Sequence, residues 1–185
     1  TALAGLMLID RGLIEAHRTR RLYVAPPVVL ALAKHPLVDQ FDLSALTFIM
    51  SAAAPLGVDL ADACATRLGC AVTQGYGMTE LSPITHVCPE THLRPGSVGL
   101  AVPMTEHRIV DPETGRVCAP GEEGEVVVRG PQVMAGYLNN PEATQAMIRD
   151  GGWLHTGDLG MIDEDGYLFI RDRVKELIKV KGFQV

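Results

Sequence analysis

Two textures of apolar and polar positions divide the chain near residue 96. Before it, short solid apolar runs alternate with stretches of helical period. Leu22-Tyr23-Val24-Ala25, Leu46-Thr47-Phe48-Ile49-Met50 and Ala71-Val72-Thr73 read as strands, since a strand covered on both faces shows no polar alternation. Between them, residues 28–34 and 57–68 read as helices. Leu60, Ala63, Cys64 and Leu68 share one side of the second, and Gly69 sits at its C-cap position. Pro26-Pro27 is read as the end of the first strand, and His35-Pro36 as the stop of the first helix. Residues 1–22 read as helix, with Leu6, Ile9, Leu13 and Ile14 apolar and the basic set His17, Arg18, Arg20 and Arg21 as its solvated end or a contact for a phosphate. Strand, helix, strand, helix, strand at these lengths predicts right-handed parallel crossovers.

Beyond residue 95 the runs are shorter and split by turn residues. His107-Arg108-Ile109-Val110 and residues 124–129 are divided by Asp111-Pro112-Glu113-Thr114-Gly115 and Pro120-Gly121, which predicts a small antiparallel, barrel-like sheet. Residues 141–147 form a short helix with Asn140 as N-cap and Pro141 at its first position. Residues 166–170 form another strand. Asp163-Glu164-Asp165-Gly166 lacks the rest of a calcium loop and reads as a hairpin turn. The expected fold class is therefore α/β: residues 1–96 in a parallel-sheet subdomain, 97–171 in a β-rich subdomain, and 172–185 a separate terminal piece.

Composition narrows the class. A hydrophobic content of 47% with 21% charged residues is that of a globular protein. A net charge of −6 argues against a general nucleic-acid surface. No apolar run approaches the roughly 18 residues that span a bilayer, and residues 1–9 lack a basic leader, so no signal peptide is expected. Cys64, Cys70, Cys88 and Cys118 have no metal-type spacing; reduced thiols in a cytoplasmic protein are expected.

The chemistry concentrates in residues 74–80, Gln-Gly-Tyr-Gly-Met-Thr-Glu, which follow directly on a strand. The C-terminal end of a strand in an α/β sheet is the usual place for a ligand. Gly75 and Gly77 are expected to take positive φ and let the backbone approach it. Tyr76 offers a flat face, Thr79 a hydroxyl for a phosphate oxygen, and Glu80 a hard oxygen for a divalent cation. A Gly-x-Gly tight turn without function explains the same glycines.

The order of several further segments carries a resemblance. Ser51-Ala52-Ala53-Ala54-Pro55-Leu56, residues 74–80, residues 130–137 (Gly-Pro-Gln-Val-Met-Ala-Gly-Tyr), residues 152–158 (Gly-Trp-Leu-His-Thr-Gly-Asp) and residues 172–185 are together similar to the adenylate-forming superfamily of acyl-CoA synthetases, adenylation domains and luciferases. Within it the likeness runs to the 4-coumarate:CoA and cinnamate:CoA ligases. The resemblance implies an ATP-dependent acid–thiol ligase that makes an acyl-AMP and passes the acyl group to CoA, with ATP or AMP, Mg²⁺ and CoA as its small molecules. Its partners would be a small carboxylic acid, ATP and CoA, with no nucleic acid and an oligomeric state left open.

On matching positions, Ala53, Ala54, Gln74, Gly75 and Tyr76 would enclose the adenine and the acyl part of the adenylate. Thr79 would contact the α-phosphate and Glu80 would bind Mg²⁺. Asp158 would accept from the ribose hydroxyls, with Arg173 reaching the same sugar; the bland alternatives are a plain turn at 156–158 and a surface ion pair with Asp172. Lys175 matches the pivot of the family's interdomain hinge. Lys179, with Gln184 near it, would approach the adenylate phosphate in one orientation, and Lys181 and Gly182 would line the CoA entry in the other. The lysines also suit the wet face of a helix. Met50, Ala53, Gly75, Pro83, Ile84 and Val87 match the acyl pocket; they carry no fixed charge, which suits a planar aromatic or short apolar acid, although ordinary core packing explains them too.

Two family parts lie outside these residues: the Ser/Thr/Gly-rich phosphate loop ending in Lys-Gly, and the catalytic lysine near the end of the C-terminal domain. The chain by itself is therefore expected to be close to inactive in adenylation. The alternatives to a cinnamate- or coumarate-type ligase are a medium- or long-chain fatty-acyl ligase, a luciferase-like enzyme, and an inactive nucleotide-binding fragment.

Overall fold

A computed structural model describes residues 12–149, 151–173, 179–180 and 183–184, with side chains as far as residue 171. The chain forms two compact units, the first of residues 1–76 and 88–96, the second of residues 77–87 and 97–185. The fold class is mixed α/β, with a parallel sheet and a curled antiparallel half-barrel.

In the first unit a short helix α1 (Leu13–Ala16) precedes strand β1 (Arg21–Val24). Arg21, expected at a helix end, is instead the first residue of β1, and its guanidinium lies 2.9 Å from Glu90 on the surface. Helix α2 (Pro26–Lys34) starts at Pro26 rather than two residues later. A fixed φ and a missing N–H cost nothing in a first turn, so the two prolines open the helix as well as closing the strand. Strand β2 (Phe48–Ser51), helix α3 (Val58–Leu68) and strand β3 (Ala71–Gly77) follow. β1 pairs with β2 and β2 with β3, both parallel. Gly69 ends α3 in the left-handed conformation at φ 63°, as its position predicts.

The core of this unit joins Val28, Val29 and Leu32 of α2 to Ile49 of β2, Cys64 of α3 and Cys70. Arg67 of α3 donates to the carbonyls of Leu32 and His35 and to Asp39, a cation set against the free carbonyls at the end of α2. Burial pushes the Cys64 thiol up to about 12, with Cys70 adding to the effect, so it serves as a packing residue.

The second unit carries the antiparallel strands. β4 (Ile84–Val87) pairs with β5 (Leu100–Ala101). β6 (Glu106–Val110), β7 (Gly124–Arg129), β9 (Trp153–Ile162) and β10 (Leu168–Arg173) form one sheet in the order β10-β9-β7-β6, and β8 (Ile148–Arg149) pairs with β9. Helix α4 (Pro141–Met147) has Asn140 as N-cap, its side chain accepting from Ala143 N–H at 3.0 Å. The turn after β9 is a hairpin turn: the Asp163 carboxylate accepts from the amides of Asp165 and Tyr167, and Gly166 has φ 85°. The last pair, β11 (Lys179–Val180) and β12 (Phe183–Gln184), is antiparallel.

This unit also pairs a buried imidazole with a half-buried one. His86 of β4 is fully buried, its Nε2 lies 2.7 Å from His107 Nδ1 of β6, and the Thr85 hydroxyl sits 3.0 Å from its Nδ1. One proton fits between the facing nitrogens, so a charged pair would set two N–H groups against each other. Burial, and to a smaller extent His107, pushes the His86 imidazole down to about 3; burial lowers that of His107 as well. A folded state that binds fewer protons than the unfolded chain loses stability as pH falls. The contribution is complete above the ordinary histidine value of 6.5 and is lost progressively from there toward about 3. Urea unfolding between pH 7 and pH 5 should therefore show a falling midpoint, with a slope of up to about 1.4 kcal/mol per pH unit for each histidine. His86→Asn should flatten that slope; an unchanged slope would remove the imidazole pair as its cause.

Candidate active site

Residues 74–80 do not form the loop that the glycines suggest. Strand β3 runs through Gly77, and neither Gly75 nor Gly77 takes a positive φ. Gly77 is required for a different reason: a Cβ there would collide with the backbone of Pro83 and Ile84. The bend comes after it, as a 3₁₀ turn over Thr79–Leu81 closed by the bonds Leu81 N–H to Met78 and Ser82 N–H to Thr79. Leu81 is fully buried and anchors the turn, leaving Thr79 exposed and Glu80 half-buried.

In the first unit, Gln74 has a defined task. Its side-chain oxygen accepts from Leu56 N–H at 2.8 Å and so ties the segment carrying Ala53 and Ala54 to the end of β3. Both alanines are exposed, and Ala53 sits in the left-handed region at φ 74°, which a residue with a Cβ holds only under strain. Met50 pairs in register with Thr73, which places Gly75 on the same face of the sheet as Met50. Tyr76 is half-buried. The remaining pocket candidates, Pro83, Ile84 and Val87, belong to the second unit.

Asp158 lies not in a turn but inside β9. Glu125 pairs with Leu159, and Val127 with His155, so Val126 alone faces Thr156, Gly157 and Asp158. This bulge is held by named groups. Thr156 Oγ1 donates to the Val126 carbonyl at 2.7 Å and accepts from Asp158 N–H at 3.1 Å. Gly157, at φ 73°, gives its N–H to Glu125 Oε1 at 3.0 Å, while Glu125 Oε2 lies 2.8 Å from His155 Nδ1. The bulge carries Asp158 at 6% exposure. A second irregularity, between Ile170 and Asp172 of β10, sets Arg173 opposite Asp158 in the ladder.

Glu80 is held from two sides within the second unit. Its carbonyl accepts from Met134 N–H at 2.9 Å, and its Oε1 accepts from the Tyr137 hydroxyl at 2.7 Å. The hydrogen bond to Glu80, followed by burial, raises the Tyr137 phenol above its ordinary value, so the proton stays with tyrosine. At the end of the chain, Lys179 and Gln184 face each other in register across β11 and β12. Lys175, Lys181 and Gly182 lie outside the described residues, as does the side chain of Arg173.

Sequence reading therefore marked Thr79, Glu80 and Asp158 but gave no role to Tyr137, Glu125 or His155. Tyr137 and His155 stood inside quoted motifs, yet no spacing rule links a tyrosine to a glutamate 57 residues earlier or a glutamate to a glycine 32 residues later. No group of three or more His, Cys, Asp and Glu residues suited to a metal occurs among the described residues. A cation at Glu80 would thus take most of its ligands from phosphate and water oxygens, which is how Mg²⁺ is usually held beside a nucleotide.

The fold is that of the adenylate-forming enzymes, and the chain belongs to the AMP-binding enzyme family, whose profile matches residues 6–138. It is similar to 4-coumarate–CoA ligase 2 of Oryza sativa subsp. japonica, 52% identical over 180 residues that cover 94% of this chain and 32% of that protein. ATP-bound MatB from Rhodopseudomonas palustris aligns with a TM-score of 0.86 at 36% identity, over 96% of this chain and 35% of its own. The anthranilate CoA ligase AuaEII, solved in complex with anthranoyl-AMP, aligns at 0.87 and 31% identity, over 100% and 35%. The chain spans about a third of the length of the relatives it matches.

Two substitutions test the local framework. Gln74→Leu removes the acceptor of the Leu56 amide and should cost about 1–3 kcal/mol in urea unfolding, whereas Gln74→Glu, which keeps the oxygen, should cost less. Glu125→Ala leaves the Gly157 amide and the His155 ring without their acceptor and should cost a similar amount, about 1–3 kcal/mol. A neutral result for either would show that the bond is not stabilising.

Proposed function

We propose that the protein carrying this chain is an acid:CoA ligase that activates a cinnamate- or 4-coumarate-like acid. A carboxylate oxygen of the acid attacks the α-phosphorus of ATP, the bond to the bridging oxygen breaks, and pyrophosphate leaves. The CoA thiolate then attacks the acyl carbon and AMP departs. Placement and charge stabilisation would supply most of the rate in both steps. In this reading Thr79 donates to the α-phosphate, and Asp158 accepts from the vicinal ribose hydroxyls, with Arg173 beside it. Ala53, Ala54, Gly75 and Tyr76 serve the adenine and acyl group, with Gln74 holding their framework. The segment from residue 172 acts as the hinge with Lys175 as pivot. Lys179 and Gln184 serve the adenylate phosphate, and Lys181 and Gly182 the CoA entry. Mg²⁺ held by Glu80 would neutralise charge on the phosphates.

The observation that supports this reading best is 52% identity to a 4-coumarate–CoA ligase along nearly the whole chain, with the quoted motifs in family order. The uncharged set Met50, Ala53, Gly75, Pro83, Ile84 and Val87 supports an aromatic acid. A fatty-acyl ligase is the second reading, favoured by the alignment to a long-chain-fatty-acid–CoA ligase of Archaeoglobus fulgidus at TM-score 0.81 and 26% identity.

Pyrophosphate release by the complete encoded polypeptide, assayed with hydroxycinnamates, benzoates and fatty acids of increasing length, separates the two. Turnover of 4-coumarate or cinnamate with ATP, Mg²⁺ and CoA is expected. Turnover of long-chain fatty acids with none of hydroxycinnamates would overturn the aromatic assignment. Asp158→Ala should lower kcat/KM at least about a hundredfold, as loss of a positioning contact to the reacting nucleotide does.

A further inference from the structure

The Glu80 carboxylate has two oxygens in different circumstances. Oε1 receives the Tyr137 hydroxyl at 2.7 Å, while Oε2 has no partner among the described residues. The phenol has one proton and two neighbours, Glu80 Oε1 and the Met147 sulfur at 3.0 Å. A carboxylate is much the stronger acceptor, so the phenol keeps its proton and directs the hydrogen bond to Glu80.

Tyr137 is itself firmly placed. Its amide donates to Thr144 Oγ1 at 2.9 Å, and that hydroxyl donates in turn to the Asn140 carbonyl at 2.9 Å, inside the N-terminal turn of α4. Gly136 before it, at φ 147°, lies so close to Thr144 that a Cβ would meet the threonine side chain at 2.8 Å. The segment from Met134 to Tyr137 thus grips Glu80 by its carbonyl at one end and its carboxylate at the other.

Resting on the reading of Glu80 as the cation ligand, we propose that Tyr137 is a positioning residue that occupies Glu80 Oε1 and presents Oε2 as a one-oxygen ligand to a divalent cation. The last torsion of a glutamate is broad and nearly twofold, so an untethered carboxylate rotates or binds through both oxygens. A donated hydrogen bond also draws charge from the carboxylate, which taken alone would weaken cation binding. Fixed orientation outweighs this: losing an outer partner of a metal ligand typically costs about tenfold or more in affinity.

The test is Mn²⁺ binding to the complete encoded polypeptide in saturating α,β-methylene-ATP, followed by the EPR signal of free Mn²⁺. Tyr137→Phe removes one oxygen and should weaken Mn²⁺ by about tenfold, while nucleotide affinity without cation changes less than about twofold. Glu80→Gln should weaken Mn²⁺ at least as much. If Glu80→Gln weakens Mn²⁺ and Tyr137→Phe leaves it unchanged or tighter, the positioning role is wrong and the Glu80 assignment stands. If Glu80→Gln changes nothing, the Glu80 assignment fails and the proposal with it. The unaltered protein gives an independent readout: the ¹³Cζ resonance of Tyr137 should keep its hydrogen-bonded position when Mg²⁺ and nucleotide are added. A move to the position of an unbonded phenol would overturn the proposal.

Discussion

The second unit's site depends on a mismatch in one ladder: Val126 on β7 faces three residues of β9 where a regular sheet would give it one. A bulge of that size withdraws backbone groups from their usual partners, and buried N–H and C=O groups must find others. Here Thr156 and Glu125 supply them, a hydroxyl to the Val126 carbonyl and a carboxylate to the Gly157 amide. The outcome is a carboxylate, Asp158, carried at 6% exposure inside a sheet. The second irregularity, in β10, places Arg173 across from it. Two misfits on either side of one strand thereby turn a stretch of ordinary ladder into a place with its own geometry.

What could be read from the sequence was what is decided locally. The N-cap Asn140, Pro141 after it and Gly69 at the end of α3 act within a few residues of themselves, and all three appear where their chemistry puts them. The solid apolar runs of the parallel strands were equally plain, and β2 is buried as such a run predicts. β1, however, leaves Tyr23 at 63% exposure, so its apolar run did not mark a strand covered on both faces. The failures fall where distant backbone decides. Gly75 and Gly77 suggest a loop, yet β3 continues through them, since Gly77 must pass close to the backbone of Pro83 and Ile84. The Thr156-Gly157-Asp158 segment suggests a turn, but with β7 on one side and β10 on the other it is held as a strand. Pro26-Pro27 signals an end and a beginning at once, and only the fold shows both.

The same division applies to the site. Thr79, Glu80 and Asp158 stood out because an entire series of motifs fell in one order, not because any triplet was distinctive. The groups that hold them had no such series. Tyr137 reaches Glu80 across 57 residues and Glu125 reaches Gly157 across 32, distances over which sequence spacing carries no geometric meaning. Side chains that meet a ligand can be marked by a motif; side chains that fix other side chains become visible only once the strands are paired.

The two glutamates also show why the choice of partner matters. Glu125 has both oxygens engaged, by the Gly157 amide and the His155 ring, and it is spent on holding the bulge. Glu80 has one oxygen engaged, and by a phenol, a donor that is neutral near pH 7. A lysine or arginine in place of Tyr137 would hold the carboxylate equally well, but its charge would compete directly with any cation approaching the free oxygen. A phenol fixes the orientation and leaves the negative charge in place. Of the two carboxylates, Glu80 alone combines a fixed direction with an unspent charge, the combination that a hard divalent cation beside a phosphate requires.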